Sequence, residues 1–87
     1  MLKLMNEYKR IHFMDGYDLY PDKHVLLGHT EDDNLQSGVV SGIVFAVADK
    51  EDREVIWNLY TEYLSSDKYG DLLLFFYGNL NTSGVYI

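Results

Sequence analysis

Apolar and β-branched residues crowd two stretches of this chain. Residues 39–48 carry Val39, Val40, Ile43, Val44, Phe45 and Val47, the composition of a central strand. Gly42 inside it marks a bulge or a close backbone contact. Residues 72–77, Leu-Leu-Leu-Phe-Phe-Tyr, form a continuous apolar run of strand length, the pattern of a strand buried on both faces. Between these runs the period changes to that of a helix. Asp49 has N-cap chemistry, Asp52 stands three residues on, and Glu51 and Glu54 place negative charge in the first turns, where the helix dipole favours it. Val55, Ile56, Leu59, Tyr60, Tyr63 and Leu64 then fall on one stripe, with Trp57 and Glu62 off it. Ser65, Ser66, Asp67 and Gly70 end the helix.

The first half is less regular. Leu2, Met5, Tyr8 and Ile11 recur every three residues, which fits a helical face or a lead into a strand. Asp15-Gly16 predicts a type I′ hairpin turn, because that pair adopts positive φ at low cost. It would pair Met14 with Tyr17 and His12 with Leu19, and Pro21 would stop the second strand. Residues 24–29 read as a short strand. Residues 31–38, polar and ending in Gly38, read as a loop, as do residues 78–84. Val85, Tyr86 and Ile87 would close an edge strand. The expected fold is α+β: a small, mostly antiparallel sheet of about four to five strands with one main amphipathic helix, about residues 50–65, packed on it. The 87 residues are enough for one compact domain, 1–87, and too few for two.

Composition supports a folded core: 47% of residues are hydrophobic and 15% aromatic, against the low hydrophobicity of disordered chains. The chain has no cysteine, which excludes disulfides, thiolate metal sites and a cysteine nucleophile. The first residues alternate charge with apolar groups and lack the apolar core of a signal peptide. The longest apolar stretch, 39–48, is interrupted by Ser41 and Gly42 and falls far short of the ~20 residues that span a bilayer. These features point to a cytoplasmic protein.

No pattern of catalytic or metal-binding residues emerges. His12, His24 and His29 lie near Asp15, Asp18 and Asp22, but none has the close helical spacing of zinc ligands, and the aspartates lack the alternation of a calcium loop. They read as surface histidines near turns. Ser37, Ser41, Ser65, Ser66 and Ser83 have no nucleophile-elbow context. Gly38-Val39-Val40-Ser41-Gly42 lacks the lysine and the following helix of a phosphate loop. No enzyme activity, cofactor or metal is expected.

Charge changes the picture. Seven Lys and Arg stand against fourteen Asp and Glu, a net charge of −7, beside eight tyrosines. So few bases argue against direct nucleic-acid binding, and an acidic surface is repelled by anionic membranes. Spaced carboxylates on a folded surface can instead stand in for nucleic-acid phosphates toward a basic protein. The acids are densest at Glu31, Asp32 and Asp33 and at Glu51, Asp52 and Glu54. Tyr17 and Tyr20, near the predicted turn, would add interface area at low entropy cost. These eight residues are the expected partner-binding set.

In size and charge the chain resembles the small acidic inhibitors that phages make against host nucleases, including some anti-CRISPR proteins. The likeness covers composition alone. It implies a non-enzymatic viral inhibitor that occludes a basic nucleic-acid-handling protein, such as a nuclease or CRISPR effector, in the host cytoplasm. Small acidic antitoxins and immunity proteins for basic toxins share the profile. A homo-oligomeric structural module, pairing through residues 72–77 and 85–87, is a further alternative, and a small enzyme with an unrecognised site stands fourth.

Overall fold

The computed structural model describes residues 1–33 and 38–78. The β-branched run forms the centre of the molecule, strand β4 (Gly38–Asp49), which neighbours every strand but the last. Strand β1 (Lys3–Leu4) and strand β2 (Arg10–His12) pair with β4 on one side, and the long strand β3 (Lys23–Asp33) on the other. Strand β5 (Leu73–Phe76) pairs with the far side of β3. All pairings are antiparallel. With one main helix, α2 (Arg53–Leu64), entered through a 3-10 turn at Lys50–Asp52, this is the expected α+β fold.

The alternation of side chains across the sheet separates two cores. On one face Leu26, Ala46 and Ala48 lie under Ile56 of α2, with Leu59, Tyr60, Tyr63, Leu72 and Leu74 packed around them. The two alanines leave room for the helix to sit close, and Ile56 is fully buried. On the other face Val25, Leu27, Val44, Val47 and Tyr77 pack against Phe13, Tyr17, Tyr20, Leu73 and Phe75. Residues 72–77 thus feed both cores, as expected of a run apolar at every position, although β5 itself is only half-buried. The edges of the helical stripe depart from the pattern: Val55 and Leu64 are exposed, as is Trp57.

One open choice is resolved and two local expectations are overturned. Residues 1–10 contain strand, not helix; Leu2, Met5 and Ile11 reach the cores from an extended chain. The polar loop expected from Glu31 is strand as far as Asp33, which pairs with Gly38. Positive φ at His29 and an extra residue opposite Gly42 carry the strand through a bulge, so pairing resumes at Glu31 opposite Ser41. A Cβ on Gly42 would lie 3.0 Å from the Leu27 Cβ, which accounts for the glycine there.

The other overturned expectation concerns Asp15-Gly16, which makes no hairpin. Residues Phe13–Asp15 form a 3-10 turn that runs into a single helical turn, α1 (Gly16–Leu19). Gly16 has ordinary right-handed φ of −60°. The glycine is required by space: a Cβ there would lie 2.0 Å from the Tyr77 ring. Tyr77 is fully buried, and its hydroxyl donates to the Phe13 carbonyl at 2.8 Å. Burial pushes that phenol up to about 12. The Tyr77 backbone bonds Lys23 and Asp22, tying the same residue to the start of β3. Residues 34–37 of the predicted loop, and the predicted loop and edge strand of residues 79–87, lie outside the described residues.

This packing gives two expected outcomes in denaturant unfolding. Gly16→Ala should cost about 3 kcal/mol, the upper range for overpacking a filled site. Tyr77→Phe should cost about 1 kcal/mol, because the Phe13 carbonyl loses the hydroxyl and keeps the Gly16 N–H as a donor. A Gly16→Ala midpoint equal to wild type would show that the ring does not occupy this space.

Candidate functional site

The β3–β4 register decides where the acids go. Lys23 pairs with Asp49 at one end of this hairpin, and Asp33 with Gly38 at the other. At roughly 3.3 Å per residue the two ends are on the order of 30 Å apart. Helix α2 leaves from the Asp49 end. Glu31, Asp32 and Asp33 therefore stand at one end of the sheet, and Glu51, Asp52 and Glu54 at the other. The structure does not bring the two groups onto one patch.

Several acids already have cationic partners. Glu31 lies 3.3 Å from the Arg10 guanidinium, which also donates to the His29 carbonyl at 2.9 Å and to Ser41 Oγ at 3.1 Å. Arg10 thereby pins β2 across the bulge and offsets part of the negative field at that end. Asp49 pairs with Lys23 and with the N-terminal ammonium of Met1, which also reaches Asp52. Asp49 therefore does not cap the helix with its side chain; its backbone is extended and its carboxylate is turned toward β3 and the N-terminus. The helix keeps the dipole benefit of Glu51, Asp52 and Glu54 without the capping box.

Lys23 and the N-terminus, by hydrogen bonding the charged form, hold the Asp49 carboxyl down at about 2 from an ordinary 3.8. The same contacts raise the Met1 ammonium and Lys23. Among the described residues, Asp32, Glu51 and Glu54 make no ion pair.

Tyr17 and Tyr20 sit differently from their expected place at an open turn. Both are half-buried against the Tyr77 core, and the Tyr17 ring meets Phe75 and Tyr77 edge-on. The aromatic residue beside the helix-start acids is Trp57, 49% exposed. Glu51, Arg53, Glu54 and Trp57 line one open cavity. Arg53 and Trp57 also border a second, which His24, Leu74 and Phe76 complete. The helix row through residues 51, 54 and 57 is an i, i+3 row, so two carboxylates and an indole share a surface. The signal for Trp57 was in the sequence: a tryptophan off the apolar stripe of an amphipathic helix has no core to enter.

His24 departs from the surface histidine expected. It is buried in the sheet face beneath the start of α2, where its Nε2–H donates to the Lys50 carbonyl at 3.1 Å and its ring packs on Phe76 with centroids 4.7 Å apart. Among the described residues no three His, Asp or Glu side chains are placed to hold a metal ion. No helix among them is long and apolar enough to cross a membrane. Comparison with protein-family models, curated proteins and solved structures finds no match to this chain.

The depressed Asp49 carboxyl gives a signed expectation. Stability from its pairing is fully present above pH 3.8, the unfolded value, and is lost as pH falls through about 2. Thermal melting of wild type against Asp49→Asn should therefore show a gap at about pH 5 that closes toward about pH 2 and narrows in high salt. A gap independent of pH would mean the carboxylate charge is not what matters.

Proposed function

We propose that this chain is a non-enzymatic binding protein that occludes a basic nucleic-acid-handling protein, through a surface centred on the start of α2. The observation that carries this reading is the exposed Trp57 beside Glu51 and Glu54, two carboxylates without ion pairs among the described residues. Tryptophan is the residue most enriched among those that dominate binding energy, each costing about 2 kcal/mol or more when truncated. Flanking carboxylates steer a cationic partner and select against acidic ones. The helix presents these groups on a rigid element, so little ordering is required on binding.

Glu31 and Asp32, at the far end of the hairpin, would extend the contact along a channel that normally holds a nucleic-acid backbone. The net charge of −7 supports such mimicry. An antitoxin or immunity protein would use the same surface toward a basic toxin. Tyr17 and Tyr20 act in this reading as supports of the Tyr77 core, and Trp57 takes the aromatic role.

The immobilised chain, exposed to extract of the cell type in which it is made, should retain a basic nucleic-acid-handling protein. Duplex DNA or RNA should compete that protein off, and high salt should elute it. Glu51→Lys/Glu54→Lys should weaken retention about tenfold or more, with helix content by circular dichroism kept as the folding control. Retention that resists both nucleic acid and the charge reversal would overturn phosphate mimicry at this surface.

A further inference from the structure

The second cavity, between the first turns of α2 and strand β5, has a chemistry that the binding of a basic partner does not use. It measures about 370 Å3, within the roughly 300–1,000 Å3 of small-molecule sites. Its walls are Trp57, Leu74 and Phe76, its floor is His24, and Arg53 stands at its mouth. The floor is held in place: the His24 ring packs on Phe76 and its Nε2–H is committed to the Lys50 carbonyl. Arg53 makes no ion pair among the described residues, although Glu51 and Glu54 border the adjoining cavity.

We propose that this cleft binds a small aromatic carboxylate, its ring between Trp57 and Phe76 and its carboxylate on the Arg53 guanidinium. The argument is one of complementarity. The aromatic lining residues Trp57 and Phe76 favour a planar ring in edge-to-face or offset contact, and leave no partner for a strongly hydrated group. Among the described residues Arg53 is the one Lys or Arg that lines the cleft, and the planar fork of a guanidinium matches a carboxylate with two parallel hydrogen bonds. A cationic ligand would be repelled by Arg53. A neutral aromatic would gain the walls but not the charge-assisted bonds. Arg53 is the first residue of α2 and is exposed. The cleft shares Trp57 with the proposed partner surface, but it adds Arg53, Leu74 and Phe76 and does not use Glu51 or Glu54.

Trp57 is the chain's single tryptophan, so its fluorescence reports on the wall of this cleft. The full chain would be titrated with 3-phenylpropionate and, in parallel, with the neutral 3-phenylpropionamide. The expected result is a saturable change in emission with the acid at a concentration about tenfold lower than with the amide. Arg53→Gln should abolish that preference while leaving any affinity for the amide unchanged. Glu62→Gln, which removes a charge elsewhere on α2, should leave the preference in place. No saturable change with the acid would overturn the proposal, as would equal responses to acid and amide or an unchanged preference in Arg53→Gln. Emission that shifts with protein concentration alone would assign the cleft to a second copy of the chain and overturn the ligand reading.

Discussion

Tyr77 closes this fold. Its ring fills the space that a side chain at Gly16 would need, its hydroxyl satisfies the Phe13 carbonyl, and its backbone bonds to the chain around β3. Phe13, Tyr17 and Phe75 pack around the same ring. One residue at the end of β5 thereby holds the short helical segment of residues 13–19 against the sheet. A domain of this size buries a modest share of its surface, so a single well-packed aromatic is a large part of its second core. Without that covering segment, Val25, Leu27, Val44 and Val47 would face water on one side of the sheet.

The opposite core has a different logic. Two alanines of β4 let α2 lie close, and Ile56 seals the contact. Because α2 follows β4 directly, its first turns emerge at the end of the hairpin where Lys23 and Asp49 pair. That placement puts Glu51, Glu54 and Trp57 beside His24, Leu74 and Phe76. A helix that starts at the end of the sheet, and not over its middle, exposes its N-terminal surface next to β5. Both cavities at this end follow from that geometry.

Charge in this protein is organised by pairing as well as by excess. Arg10 spans the bulge to Glu31, while Lys23 and the N-terminal ammonium converge on Asp49. These exposed pairs are individually weak and screened by salt. Their effect on the surface is greater than their effect on stability, because they cancel negative potential at particular places and leave it standing at Glu51, Glu54 and Asp32. A partner therefore meets a patterned surface, not uniform acidity.

Much of the architecture was legible in one dimension. The β-branched run, the amphipathic period of residues 55–64 and the six apolar residues 72–77 each follow from local patterning, so the α+β class and the main helix could be read directly. The first ten residues could not, since a three-residue spacing of apolar groups also suits an extended chain that meets two cores. Asp15-Gly16 carries turn chemistry by itself; only the Tyr77 ring, 61 residues away in sequence from Gly16, determines that the glycine serves space and not positive φ. The bulge at His29 is likewise a tertiary outcome, because pairing with β4 extends the strand through polar residues that favour a loop in isolation. For the site, the acids and the off-stripe Trp57 were visible in the sequence. Which acids are paired, which tyrosines are buried and how far apart the acidic groups stand depend on β-sheet register, a non-local quantity set by hydrogen bonds between strands.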